Sequence, residues 1–327
     1  MEAQKLIFLT GVNSNLNGEA AGPNSFGEFL LERKLLSSSV DANTKKIVCI
    51  DYSPLVANEI KELGLGPADC TLVRMEPSVV LPLNFAKSRQ SQFGKVITVG
   101  GYGSQESTSV NWPLVWPSAL KLEELRSTVR DERIVVINGN KLSFVKGELY
   151  SLRRRAIRAI ESIDLYGTQW DSGFASRLII AVKSFVQAIL SGRGPFLSGI
   201  SLWFPSYPKS KGPVSDKLKT MSAYKYALVI ENSAEYMSEK LMESLFAGCI
   251  PIYVGPDPKL YGIPDDLVVR AQPNLKSIEV GLSLAQTWNF AEFHSRLETF
   301  LRFDKVKDLW DHTRVYERML EEIYKTK

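Results

Sequence analysis

The sequence predicts an α/β protein with two parallel-sheet domains, and three observations carry that expectation. The chain has 327 residues, 44% hydrophobic and 23% charged, an ordinary globular composition at a length that holds about two domains. Its first half is a series of short apolar runs rich in Val and Ile, separated by helical patterns. Its second half contains a compact strand–helix–strand unit. Strands that alternate with helices form parallel sheets with crossover helices on their faces.

In chain order, the apolar runs at residues 5–12, 46–52, 70–75, 95–100 and 133–138 are each too short for a helix and read as buried strands. Residues 27–36 and 55–63 between them have helical spacing. Residues 83–92 and 100–116 read as loops beyond strand ends, where α/β sheets bind ligands. A second segment starts near Ser151, which could cap a helix over residues 152–163 with Leu152, Ala156, Ile157, Ile160 and Ile163 on one face. A helix over residues 174–190 follows. Then come a strand at 226–230 (YALVI), a loop at 231–237, a helix at 238–247 with Ser238 as N-cap and Gly248 as the C′ residue, and a strand at 250–255 (IPIYVG). From about residue 290 the tail is helical, with Leu309, Val315, Met319, Ile323 and Tyr324 as its buried face.

Composition excludes several kinds of chemistry. Forty Lys and Arg against 36 Asp and Glu leave a net charge of +4, too little for a surface that binds nucleic acid as a whole. The chain has two histidines, His294 and His312, and three cysteines, Cys49, Cys70 and Cys249, without ligand spacing for zinc. The cysteines lie in or beside apolar runs and read as small buried hydrophobes in a reducing compartment. No run approaches the roughly 20 apolar residues of a membrane span, and the opening Met-Glu-Ala-Gln lacks a signal peptide's basic start. These features fit a cytoplasmic protein. Without a phosphate-loop motif, a nucleophile elbow or a histidine placed to serve a nucleophile, carboxylates remain as the general acid or base.

Four places could carry chemistry. The junction Glu231-Asn232-Ser233-Ala234-Glu235-Tyr236-Met237-Ser238-Glu239-Lys240 ends a strand and opens a helix, where free amides and the helix dipole favour an anion. Lys240 in the first turn is unfavourable unless something negative compensates it; a solvated face bearing Glu239 and Lys240 is the plainer alternative. The densest positive cluster is Arg153-Arg154-Arg155 with Arg158 one turn later; Arg153, in the first helical turn, could meet a phosphate, whereas Arg154 and Arg158 read as a solvated face. Glu76, at a strand end before Pro77, is either a functional carboxylate or a surface partner of Arg74. Gly100-Gly101-Tyr102-Gly103 lacks the third glycine of a dinucleotide loop and reads as a loop. Tyr102, Trp112 and Trp116 could stack on a ligand's rings, although packed aromatics are commoner.

The segment Tyr224-Lys225-Tyr226-Ala227-Leu228-Val229-Ile230-Glu231-Asn232-Ser233, then Tyr236-Met237-Ser238-Glu239-Lys240-Leu241, then Ala247-Gly248-Cys249-Ile250-Pro251-Ile252-Tyr253-Val254-Gly255, resembles the donor-site signature of the alpha-1,3/4-fucosyltransferases of bacterial type. Tyr150-Ser151-Leu152-Arg153-Arg154 through Asp164-Leu165-Tyr166-Gly167 is similar to that family's arginine helix and following strand, and Arg74-Met75-Glu76-Pro77 to its acceptor-domain acidic motif. Ser238 stands where the family has Thr, Ile230 where it has Phe, and the loop between Ser233 and Tyr236 is shorter than in some members.

The resemblance implies a GT-B-like fold: two Rossmann-like domains facing across a cleft, with a C-terminal helix crossing back. The corresponding divisions are an acceptor-binding domain at residues 1–148, a nucleotide-sugar domain at 149–300 and a helical tail at 301–327. It implies inverting transfer of L-fucose from GDP-β-L-fucose to a glycan hydroxyl, in alpha-1,3 linkage to GlcNAc or glucose. Arg153 and Lys240 would neutralise the pyrophosphate, Asn232 would hold a phosphate, Glu239 would take ribose hydroxyls, Tyr236 and Ser238 would line the donor pocket, and Glu76 would be the general base. No cofactor or metal site is required on this reading, with Mn or Mg at most a stimulant. The partners are GDP-fucose and a glycan acceptor, not nucleic acid, and a lipid-linked acceptor would bring the enzyme to a membrane. The residues leave open another sugar donor at the same site, or a non-catalytic sugar-nucleotide-binding module.

Overall fold

A computed structural model describes residues 6–11, 16–55, 60–101, 108–117, 129–197, 207 and 210–325. The chain divides into two compact units, Met1–Val115 with Asp308–Lys327, and Trp116–Lys307. Each contains one parallel sheet.

The first sheet is formed by β1 (Leu6–Gly11), β2 (Leu36–Ser37), β3 (Thr44–Ile50), β4 (Cys70–Arg74), β5 (Lys95–Val99) and β6 (Thr108–Val110), in the order β2-β1-β3-β4-β5-β6. Every pairing is parallel. Helix α1 (Phe26–Glu32) starts where the Ser25 hydroxyl accepts the Glu28 amide at 3.1 Å. It ends before residue 36, sooner than the spacing predicts, because Lys34 turns into the left-handed region at φ 55° and the chain enters β2. A 3-10 turn at Pro82–Phe85 and the short helix α2 (Lys87–Gln90) occupy the stretch expected as a loop.

The second sheet contains β7 (Asp131–Ile137), β8 (Ile163–Tyr166), β9 (Tyr224–Ile230), β10 (Ile250–Val254) and β11 (Val269–Arg270), in the order β11-β10-β9-β7-β8. Its helices are α3 (Tyr150–Ala159), α4 (Phe174–Leu190), α5 (Lys217–Ser222), α6 (Lys240–Phe246), α7 (Leu275–Thr287) and α8 (Phe290–Leu301). α9 (Asp304–Trp310) leads into α10 (His312–Tyr324), which returns to the first unit. There Val315, Tyr316, Met319 and Ile323 join α1 and the strand residues Ile7, Leu9, Val48 and Val73 in one buried cluster. Ile47, Cys49, Cys70 and Leu72 point to the opposite face and form a second cluster with Tyr52 and Phe93, as the two-residue period of a strand requires.

The boundary differs from the expected one at residues 148 and 149. Residues 133–138 belong with the second sheet, because β7 pairs with β8 and β9. The expected tail is also split, since residues 301–307 stay with the second unit. The three cysteines are free and buried. Burial pushes the Cys70 thiol up to about 11 and those of Cys49 and Cys249 to about 12, so none is a reactive thiolate.

Candidate functional site

In the second unit the chain lays β8 on one side of β7 and β9 on the other. The strand order therefore reverses between β7 and β9, and open parallel sheets leave a binding crevice at the carboxyl ends of the strands at such a point. Asn138 follows β7, and Glu231 and Asn232 follow β9. Beside them a cavity of about 40 Å³ lies between these strands and the two helices α5 and α6, with Asn138, Lys217, Lys240 and Glu243 among its lining residues. It has room for water but not for a nucleotide, so it marks where polar groups converge rather than a whole pocket.

Glu231 organises this convergence, and the residue pattern had not singled it out. Its side chain is fully buried, and the carboxylate accepts the Ser238 amide at 3.1 Å and the Ser238 hydroxyl at 2.8 Å. Lys240 Nζ donates to Ser238 Oγ at 2.7 Å and lies 3.5 Å from Glu231 Oε2. The cation that looked uncompensated in the sequence is thus held by a buried carboxylate of its own chain. Ser238 is not the N-cap: α6 begins at Lys240 after Glu239, and the Ser238 hydroxyl is directed to Glu231 instead. Gly255 leaves room for the arrangement, since a Cβ there would stand 2.3 Å from the Tyr253 hydroxyl and 2.8 Å from Glu231 Cγ. At the other end of α6, Gly248 takes the left-handed C′ conformation at φ 73°, as expected.

Arg153 is brought to the same turn by α3. Its Nη2 donates to the carbonyls of Ile230 at 2.5 Å and Glu231 at 3.3 Å and to Asn232 Oδ1 at 3.4 Å. The Leu149 amide donates to the Asn232 carbonyl at 2.9 Å, which ties the start of α3 to the turn after β9. Burial lowers the Arg153 pKa, against the opposing influence of Tyr150, Glu231 and Glu148. Its Nε is buried with no hydrogen-bond partner, an orphan donor of the kind that native interiors rarely leave. Asn138 Oδ1 and the Tyr253 hydroxyl, both close to this edge in sequence and sheet, are orphaned in the same way.

Two expectations about α3 are corrected. Arg154 is not solvated but 1% exposed, donating to the Lys141 carbonyl; Arg155 and Arg158 are the exposed members of the cluster. The helix runs from Tyr150 to Ala159 rather than over 152–163, and Ser151 does not cap it. Instead the Glu148 carboxylate, two residues before the helix, accepts the Ser151 amide at 2.9 Å.

Glu239 faces Lys217 at 3.4 Å, and Lys217 also holds Glu243 at 3.1 Å. Burial works against ionisation of Glu239, but Lys240 and Lys217 outweigh it and keep the carboxyl below the usual range. Glu243, one helical turn on, is shifted upward by burial and by Glu239. Tyr236 is buried, and its backbone bridges Ser233 across the short loop. Lys217 and Asn138 join the site only through the fold. The available signal for Asn138 was its place as the polar residue that ends an apolar strand.

Glu76 lies in the first unit, just past β4. Its amide donates at 3.1 Å to Asp51 Oδ1, which also accepts the Met75 amide at 2.9 Å and Asn84 Nδ2 at 2.6 Å. Asp51 follows β3 in the left-handed region at φ 54°. Its pKa is raised by burial, against the lowering effect of these three donors. Arg74 is buried, donating to Thr98 Oγ1 at 2.6 and 3.0 Å with its guanidinium 4.5 Å from the Phe85 ring centre. Trp116 packs edge-on to Phe246 at 5.0 Å and Trp112 packs against the first core; Tyr102 lies outside the described residues.

No protein-family model matches the chain, and no curated protein matches it in sequence. Solved structures do share its architecture. Anabaena HepE, determined with UDP-glucose, aligns with a TM-score of 0.50 and 9% identity over 84% of this chain and 78% of its own. A UDP-forming trehalose-phosphate synthase from Burkholderia xenovorans aligns with a TM-score of 0.50 and 14% identity, over 91% of this chain and 76% of its own. The fold is that of the GT-B glycosyltransferases. An alpha-1,3-fucosyltransferase also aligns, over 100% of this chain and 84% of its own, with a TM-score of 0.43 and 11% identity; at that score it adds nothing to the assignment. At such identities likeness extends to the fold and not to the substrate.

Proposed function

We propose that the chain is a nucleotide-sugar-dependent glycosyltransferase, and more specifically an inverting enzyme that moves L-fucose from GDP-β-L-fucose to a hydroxyl of a glycan. The observation that carries this reading is the convergence at the end of β9, in a GT-B fold, of Arg153, Asn232, Ser238 and Lys240 around the buried Glu231. These are residues of the segments that resemble the fucosyltransferase donor signature.

In this reading Lys240 and Arg153 face the pyrophosphate, where fixed positive charge stabilises the leaving group. Glu239 binds the ribose, and Asn232, Tyr236 and Ser238 complete the donor pocket. The acceptor oxygen attacks the anomeric carbon as the bond to the GDP oxygen breaks, inverting that centre, and Glu76 receives the acceptor's proton. No resident cofactor is assigned, and Mn²⁺ or Mg²⁺ is expected at most to stimulate turnover. No helix among the described residues is long and apolar enough to cross a membrane; a cytoplasmic enzyme working on a soluble or lipid-linked glycan is the reading we favour.

The decisive experiment is incubation with GDP-fucose and a panel of glycans, read by mass for the addition of one fucose. Absence of transfer to every acceptor, with transfer from UDP-glucose instead, would replace the donor assignment. Calorimetric titration should show GDP bound in preference to UDP, and Lys240→Ala should weaken GDP at least about tenfold, or about 1.4 kcal/mol. Unchanged affinity would remove Lys240 from the site.

A further inference from the structure

The outward face of α4 has no counterpart in the donor site. This helix has 17 residues, a length of about 25 Å at 1.5 Å per residue. It is held to the second unit along one narrow edge. Ala181 and Ala188 are its buried residues, the Ser184 hydroxyl donates to the Leu142 carbonyl at 3.2 Å, and Phe185 meets Phe144 edge-on at 5.5 Å. At 100° per residue from Ala181, Leu178, Ile189, Val182, Val186 and Ile179 fall between about 60° and about 160°, an arc beside the held edge, and Lys183 follows at about 200°. All five are exposed, Ile179 at 69% and Val182 at 56%. Past the helix Phe196 and Leu197 are also exposed. A surface helix of a globular domain normally covers its apolar arc, whereas here the apolar arc beside Lys183 stays exposed.

Charge narrows what could cover it. Residues 172–215 contain no Asp or Glu, while Arg177, Lys183, Arg193, Lys209 and Lys211 are cationic. Lys183 and Arg193 are exposed beside the apolar arc, and Arg158 on α3 is exposed as well. Arg154, Arg158 and Arg177 all act electrostatically on Tyr207, so the cations of α3 and α4 are neighbours. Two copies meeting through this face about a twofold axis would set the cations of this segment against a segment that contributes no carboxylate. An apolar strip in a segment with five cations and no acid between Asp171 and Asp216 is instead complementary to a bilayer with anionic headgroups.

We propose that α4 with Phe196 and Leu197 is a docking surface for an anionic lipid bilayer, the helix lying along the membrane with its outward residues among the acyl chains. The inference stands on this surface alone and does not use the donor site. Its test is flotation of the full chain with vesicles of phosphatidylcholine, with and without phosphatidylglycerol. The chain should float with the anionic vesicles at least about tenfold more than with the zwitterionic ones, and lose that binding in high salt. Ile179→Glu together with Val186→Glu should reduce the bound fraction at least about tenfold, with the melting temperature unchanged because both side chains are already exposed. Lys183→Glu should give a smaller loss that is absent on zwitterionic vesicles. No flotation of the unmodified chain, equal flotation on both compositions, or undiminished flotation of the double variant would each overturn the proposal. So would a dimer in sedimentation velocity that the double variant dissociates, which would assign the face to a second copy.

Discussion

The carboxyl edges of the two sheets hold their acidic groups by different means. In the first unit Asp51 is fixed by neutral donors, the amides of Met75 and Glu76 and the side chain of Asn84, and burial leaves its pKa raised. In the second, Glu231 has Lys240 at 3.5 Å and Glu239 has Lys217 at 3.4 Å, and the cations hold Glu239 below the ordinary range. At the first edge, then, neutral donors do not hold Asp51 in its charged form. The second supplies positive charge already oriented toward an anion.

The comparison breaks most visibly at Glu76. If the first edge supplies the base, Glu76→Gln should lower turnover about 10²- to 10⁴-fold while GDP affinity measured by calorimetry stays the same. A fully active variant would leave the first edge without its chemistry. The next largest effect is expected at Gly255. A Cβ there would press on the Tyr253 hydroxyl and on Glu231, so Gly255→Ala should cost up to about 3 kcal/mol of stability, seen as a lower melting temperature. Because Glu231 positions Ser238 and Lys240, GDP should also bind more weakly to the fraction that stays folded. A variant as stable as the parent would mean that the edge is less tightly packed than these distances require.

The sequence made the second edge legible because its parts lie close together. A strand, a short loop and a helix start fall within residues 224–246, and the polar residues of the loop mark it. What stayed hidden depended on distance. Lys217, Asn138 and the buried course of Arg154 are set by how α5, β7 and α3 pack on that loop. The unit boundary was misplaced for the same reason: the pattern at residues 133–138 identifies a strand, but only its pairing with β8 and β9 assigns it to the second sheet. The interior strands were predicted within one or two residues, since runs buried on both faces are long and apolar. The two-residue strands β2 and β11 carry no comparable pattern, and β8 was suggested only through the resemblance. Ser151 and Ser238 were read as caps because serine often is one, yet in each case a nearby carboxylate takes the serine for its own hydrogen bonds.

The contrast between neutral and cationic fixation gives two pH dependences of opposite sign. Asp51 has a raised folded pKa, so its contribution to stability is present at low pH and is lost as pH rises through that folded value. Asp51→Asn, which keeps an acceptor and tolerates the left-handed backbone, should therefore gain on the parent as pH rises. Asp51→Ala removes the acceptor of three donors and should cost about 2 kcal/mol.

Asp164 in β8 is the opposite case. Although burial pulls its pKa up, bonds from Lys211, Tyr224 and Arg133 hold it lower, with Lys211 Nζ at 2.5 Å, the Tyr224 hydroxyl at 2.7 Å and Arg133 Nε at 2.9 Å. Its contribution is present above the unfolded carboxylate pKa and is lost as pH falls through the depressed folded value. Lys211 and Arg133 are about half exposed, at 48% and 46%, so solvent screening reduces what they contribute, and Asp164→Asn should cost only about 1 kcal/mol near neutral pH. Denaturant melts of parent and variant should converge as the solution is acidified. A gap that stays constant with pH would show that the cations contribute nothing electrostatic to Asp164.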